Sequence, residues 1–201
     1  MTQCLVIGRP NAGKTCFTLN FADFLGIKRM QLTIRQPEGF SSTQSFMLSE
    51  ARERLISSEP NQTKRLQSIT LSLPRGKGRK KIELIDSCGL SDGIHPCQQI
   101  RKAMAQTINR IKASIIVLHI IDLSRFKPGK KEIDNLIDNQ INSYASQQPA
   151  YCILANKIDL PLSRRNLPPL RRLYSSSLII PLSALHKKGF SDVKHFLWKN
   201  I

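Results

Sequence analysis

The chain has 201 residues, 40% of them apolar, which is enough for one domain with a sizeable core and short for two. Lys and Arg number 31 against 14 Asp and Glu, and the resulting net charge of +17 favours a polyanionic partner (nucleic acid, an anionic membrane or an acidic protein) while leaving the fold open. No apolar run approaches the roughly 18 residues of a membrane span, and the first strand-like segment begins at Thr2. The cysteines (Cys4, Cys16, Cys88, Cys97, Cys152) form no Cys-x-x-Cys pair. Composition thus argues against a leader, a disulfide framework and a zinc knuckle, and it predicts a cytoplasmic protein with free thiols. Cys88, His95 and Cys97 lack a fourth ligand at zinc-site spacing.

In chain order, "QCLVIG" reads as a short buried parallel strand ending in glycine. "KTCFTLNFADFLG" follows as a helix with Phe17, Phe21 (or Leu19), Phe24 and Leu25 near one face and Gly26 as its cap. Residues 27–62 break the pattern as a polar insertion, in which "SFMLSEARERLI" predicts an amphipathic helix of about three turns. "SITLSL" and "KIELID", separated by "PRGKGRK", predict an antiparallel hairpin at the edge of the sheet. "SIIVLHIID", "YCILAN" and "SLIIPLSA" complete six strands, with helix-like segments at roughly 98–112, 130–145, 164–174 and 189–199. Strands that alternate with helices predict an α/β fold, a mostly parallel six-stranded sheet with helices on both faces, as one domain over 1–201.

Three motifs carry chemistry. "GRPNAGKT", Gly8 to Thr15, fits Gly-x-x-x-x-Gly-Lys-Ser/Thr between a strand and a helix, where backbone N–H groups and a helix N-terminus cradle phosphates. Lys14 would reach the β- and γ-phosphates, and the Thr15 hydroxyl would bind Mg2+. "NKID", Asn156 to Asp159, ends a strand with a carboxylate able to accept from both N1–H and the exocyclic amine of guanine, a pair adenine lacks. Such a site rejects the wrong base by factors on the order of 10⁴ because its acceptor would be left unpaired. "PLSAL" ends the next strand. An ATP-using P-loop enzyme is the reading that would make Asp159 irrelevant.

With these motifs the chain resembles a small GTPase of the translation-factor-related class, and most closely the bacterial Era-like group, over nearly its whole length except residues 27–62. The resemblance implies GTP and GDP as ligands with Mg2+ as cofactor. It places the phosphates at Gly8, Asn11, Ala12, Gly13, Lys14, Thr15 and Cys16. Asp86 of "DSCG" would hold the Mg2+ shell through water, and Gly89 would contact the γ-phosphate through its N–H. Asn156 would bond guanine N7, Lys157 would lie against the base plane, Asp159 would read the base edge, and Ala184, between Ser183 and Leu185, would bond O6. Thr63 of "PNQTKR" stands where the group carries the switch threonine that closes over Mg2+ and γ-phosphate, and it is chosen over Thr43 and Thr33. Residues 27–62 would then contain the first switch region.

Two departures bear on catalysis. The group's Asp-Thr-Pro-Gly is Asp-Ser-Cys-Gly here, and Leu90 stands where many regulatory GTPases keep a water-orienting glutamine. An apolar residue at that place is usual in the Era-like group, whose members hydrolyse slowly, and an asparagine in the phosphate loop of several members holds a potassium ion. Asn11 occupies that position, although asparagine also suits a tight turn. The expectation is slow GTP hydrolysis, faster in potassium, with Lys14, Asn11, Gly89 and Thr63 in the catalytic set.

For a partner, the hairpin turn gathers Arg75, Lys77, Arg79, Lys80 and Lys81, and basic pairs recur around the chain. The resemblance points to ribosomal RNA or a ribosomal particle, bound through phosphates in a salt-dependent way, without the separate RNA-binding domain that Era carries. The alternative is a switch for a protein or an anionic membrane, with little or no hydrolysis, using residues 27–62 and Leu90 as its effector face.

Overall fold

The structure, a computed structural model, describes residues 1–35, 41–55, 66–91, 97–127 and 136–201. Eight strands form one sheet in the order β3-β2-β4-β5-β1-β6-β7-β8. They are β1 Thr2–Gly8, β2 Arg29–Arg35, β3 Ser41–Met47, β4 Leu66–Arg75, β5 Gly78–Asp86, β6 Ile116–Asp122, β7 Ala150–Asn156 and β8 Leu178–Pro181. The helices are α1 Lys14–Phe24, α2 Leu48–Leu55, α3 Gln98–Ala113, α4 Leu136–Ala145, α5 Leu167–Leu173 and α6 Phe190–Lys199. Strands β5, β1, β6, β7 and β8 run parallel, as the alternation with helices predicts.

Apolar alternation fixes which side each residue takes. In β1, Cys4 and Val6 join the core under α1 and α6, while Leu5 and Ile7 join the core under α3 and α4. Both faces are covered, so the central strands are apolar throughout, and β6 is buried along its whole length. On the first face, Phe17 stacks on Phe21 with ring centroids 5.3 Å apart, and Phe190 meets Phe17 edge-on at 5.4 Å. Each fully buried phenylalanine stabilises the fold by about 1.5–3 kcal/mol.

Three expectations need correction. The sheet has eight strands rather than six, because the polar segment after α1 supplies β2 and β3. β3 is Ser, Thr and Gln rich and shows no apolar alternation, whereas β2 alternates Met30, Leu32 and Ile34 with Gln31 and Thr33, a strand signal inside the stretch read as a polar insertion. β2 pairs with β4 and seats Met30 and Leu32 in the core, while β3 pairs with β2, where Thr33 and Thr43 face each other with their Oγ1 atoms 3.0 Å apart. The β4–β5 hairpin exists, with a two-residue turn at Gly76-Lys77, but it lies inside the sheet and β3 is the edge. The amphipathic helix of that segment begins at Leu48, since Phe46 and Met47 still pair with Met30 and Arg29 in β2. The Met47 N–H is capped by the Glu50 carboxylate at 3.1 Å.

Candidate functional site

The parallel strands all end on one side of the sheet, where a crevice at their carboxyl ends is the usual place for a ligand. After β1 the chain turns through Asn11 in the left-handed region (φ 60) and Gly13 (φ 102), which is the N-cap residue of α1. A Cβ on Gly13 would lie 2.3 Å from Asn156 Nδ2, so only glycine fits between the two motifs. The N-cap Gly13 makes no side-chain cap and no acidic residue lies in the first turn of α1, so the positive end of its dipole faces the loop without a carboxylate beside it.

Lys14 is buried and donates from Nζ to the carbonyl oxygens of Gly8 at 3.2 Å and Arg9 at 2.8 Å. Burial pushes its pKa down, and the nearby Asp86 carboxylate opposes that shift. These carbonyls hold the ammonium in the curl of the loop, where a phosphate oxygen would meet it. Thr15 Oγ1 donates to Asp86 Oδ2 at 2.6 Å. Burial raises the Asp86 pKa to about 6, against the opposing Thr15 hydrogen bond and the Lys14 charge. Asp86 Oδ1 is buried and has no partner among the described residues. A hydroxyl beside a carboxylate with an unpaired buried oxygen fits a hard divalent cation such as Mg2+.

The turn after β5 is bound to the same loop. Ser87 donates from Oγ to the Val6 carbonyl at 2.7 Å, and the Leu90 N–H donates to the Gly8 carbonyl at 3.1 Å. Gly89 lies so close to Pro10 that an added Cβ would be 2.7 Å from its Cα. Cys88 packs against Ile100 and Ala103.

The second half of the crevice is organised by Asn156. Its Nδ2 donates to the Ala12 carbonyl at 2.8 Å and its Oδ1 accepts from the Ala184 N–H at 2.9 Å, so one buried amide joins all three loops. Nδ2 has a second hydrogen left for a ligand acceptor. Lys157, in the left-handed region at φ 69, donates from Nζ to Asp122 Oδ2 at 2.7 Å. Asp159 is half-buried, with His186 Nε2 at 4.0 Å from its Oδ2. Ser183 is fully buried and its Oγ accepts from the His186 N–H, whereas Leu185 is exposed. Cys16 is half-buried on α1, within 3.5 Å of Asn20 Nδ2.

Not every expected residue joins this site. Thr63 lies outside the described residues, as does His95. Thr33 and Thr43 are paired with each other in the β2–β3 ribbon. Leu90 is 3% exposed and packs with Leu5, Ile7 and Ile85, so it is a core residue and cannot contribute to an effector face. Lys80 is tied back, its Nζ lying 5.0 Å from the Trp198 ring centroid and donating to the Ile201 carbonyl at 2.7 Å. Arg75, Lys77, Arg79 and Lys81 are exposed. Two site residues escape the motif reading. Asp122 closes the apolar run of β6 in register with Asn156, and a charge ending a buried strand was the available signal. Asn20 sits on the buried side of α1, a polar residue where an apolar one is expected.

Sheet order, phosphate-loop curl and the three converging loops define an α/β P-loop GTPase fold. Residues 39–157, more than half of the chain, match the 50S ribosome-binding GTPase family, and the chain belongs to it. A curated relative, mitochondrial ribosome-associated GTPase 2 of Pongo abelii, is 29% identical over 109 residues; the alignment spans 54% of this chain and 26% of the relative. Among solved structures, Era in complex with MgGDPNP and nucleotides 1506–1542 of 16S ribosomal RNA superposes with a TM-score of 0.67 at 16% identity, covering 99% of this chain and 56% of that one. The G domain of the T. maritima FeoB iron transporter gives 0.60 at 15% identity, covering 100% and 98%. Among the described residues no helix is long and apolar enough to cross a membrane.

Proposed function

We propose that this chain is a guanine-nucleotide switch that hydrolyses GTP slowly and acts on ribosomal RNA or a ribosomal particle. The observation that carries the nucleotide reading is the bridging of Ala12 and Ala184 by the Asn156 amide, which sets a phosphate-binding curl and a base-recognition carboxylate at a fixed separation. On this reading the N–H groups of Gly13 to Cys16 and the Lys14 ammonium hold the phosphates. Thr15 and Asp86 would hold Mg2+, which when bound would supply positive charge to the phosphates. Gly89 contacts the γ-phosphate, Asp159 accepts from the guanine edge, and the Ala184 N–H, between Ser183 and Leu185 and now donating to Asn156 Oδ1, is the donor that O6 would have to share. Asn11 is the candidate potassium ligand, and Thr63 the candidate switch threonine.

Slow turnover follows from Leu90, which is committed to the core and has no group to orient water. The ribosomal reading is supported by the names of the family and of its relative, and by exposed basic residues over both faces of the sheet: Arg101 and Lys102 on α3, Arg171 and Arg172 on α5, Lys28 and Lys188 near α1. The basic hairpin tip lies at the opposite end of β5 from Asp86, about 26 Å away at ~3.3 Å per residue, so it would anchor a polyanion without touching the nucleotide.

The test is GTP turnover by the purified protein in potassium and in sodium chloride, with and without ribosomal particles at low salt. The proposal expects a slow basal rate, faster in potassium, that particles stimulate and moderate salt abolishes. Equal rates in the two salts would remove the role of Asn11, and particle-independent rates would remove the ribosomal partner. A protein-binding switch with little hydrolysis is favoured by one observation: β3 is an exposed, uncharged edge strand that an extended partner could pair with.

A further inference from the structure

One side chain outside the nucleotide motifs reaches their hydrogen-bond network. Arg52 projects from α2 and donates from one terminal nitrogen to Asn20 Oδ1 and to Asp23 Oδ2, each at 2.8 Å. Asn20 Nδ2 donates in turn to the Ala184 carbonyl at 2.8 Å, and the Ala184 N–H donates to Asn156. Asp23 also accepts from Lys187, three residues beyond Ala184. A continuous chain of hydrogen bonds therefore runs from α2 through α1 to the loop after β8, and through Asn156 to the phosphate loop.

The chemistry of Asn20 makes this chain directional. Arginine can only donate and a carbonyl can only accept, so the amide of Asn20 satisfies both neighbours in one orientation alone. Asn20 is 6% exposed, so losing Arg52 leaves its oxygen unpaired in a nearly dry place and removes what keeps Nδ2 turned toward Ala184. The same loss takes one of two cations from Asp23 and loosens the hold on Lys187.

We propose that Arg52 is a positioning residue for guanine nucleotide, holding the Ser183–Lys187 loop closed so that α2 sets how long the nucleotide stays bound. This rests on the guanine-nucleotide reading of the site. α2 is seated on the core by Leu48 and Ala51, so a shift of this helix would be felt at the base loop through Arg52.

The experiment is displacement of fluorescent GDP by excess GDP in a stopped-flow instrument, with the full chain and the variants Arg52→Ala, Arg52→Lys and Glu53→Ala. Glu53 is an exposed residue on the same helix and serves as the control. Arg52→Ala is expected to speed release by about tenfold, the effect of one hydrogen bond to a charged group, with the association rate within about twofold of wild type. Arg52→Lys, which keeps the charge but replaces the planar guanidinium with a compact ammonium on a different stem, should fall between, and Glu53→Ala should match wild type. Release by Arg52→Ala and Arg52→Lys within about twofold of wild type, whatever their melting temperatures, would overturn the proposal and leave GDP binding standing. Wild-type protein that fails to bind fluorescent GDP would overturn the nucleotide reading and this inference with it.

Discussion

The carboxyl end of the parallel sheet and the β2–β3–α2 edge are built by different means. At the first, buried side chains brace loops against one another: Asn156 spans two of them, Thr15 is tied to Asp86, and Lys157 to Asp122. At the second, β2 and α2 are seated by Met30, Leu32, Leu48 and Ala51, but β3 is exposed throughout apart from Phe46 and is held by its backbone pairing to β2. Geometry that must be kept to a fraction of an ångström is placed where buried side chains enforce it.

Substitution in the two regions should separate them by size of effect. Phe17→Ala, beneath the phosphate-loop helix, should lower stability by about 3–5 kcal/mol in urea unfolding. A loss under about 1 kcal/mol would mean that the aromatic cluster is not what seats α1. Lys14→Ala should weaken guanine-nucleotide binding by about 100-fold in calorimetric titration while leaving the melting temperature near wild type, since it removes a buried cation along with its ligand contacts.

The first region was largely legible in the sequence because its chemistry demands particular residue types at fixed spacing. Gly8, Gly13, Lys14 and Thr15 could be placed from the pattern, and the apolar runs of β1, β6 and β7 from burial on both faces. The second was not. A strand such as "SSTQSFM" carries no apolar period, and only its pairing with β2 makes it a strand. Asn20 and Arg52 were illegible for another reason: their function depends on a partner more than 100 positions away in the chain, the Ala184 carbonyl, which only the fold brings near.

Between the two regions stands Asp23, where a smaller effect is expected. Its carboxyl is held below the usual range first by the Lys187 hydrogen bond and then by that of Arg52. A lowered pKa means that the contribution is complete above the ordinary carboxylate value and is lost as pH falls through the lowered one. The difference in GDP release between wild type and Asp23→Asn should therefore be constant down to about pH 4 and shrink only below it, whatever Asp86, raised to about 6, does to both proteins; a difference that already shrinks at pH 6 would point to another group. Smallest of all, Thr43→Val at the exposed edge should change stability by less than about 0.5 kcal/mol and leave nucleotide affinity untouched, as a melting curve and a titration would show.

The most direct test of the account is a competition titration: fluorescent GDP bound to the purified protein with Mg2+, challenged by GTP and by ATP. Displacement by GTP at a concentration at least about 1,000-fold below that needed for ATP, lost in Asp159→Ala, is the predicted result. Equal displacement by the two, or selectivity unchanged in Asp159→Ala, would contradict the claim that these loops form a guanine site.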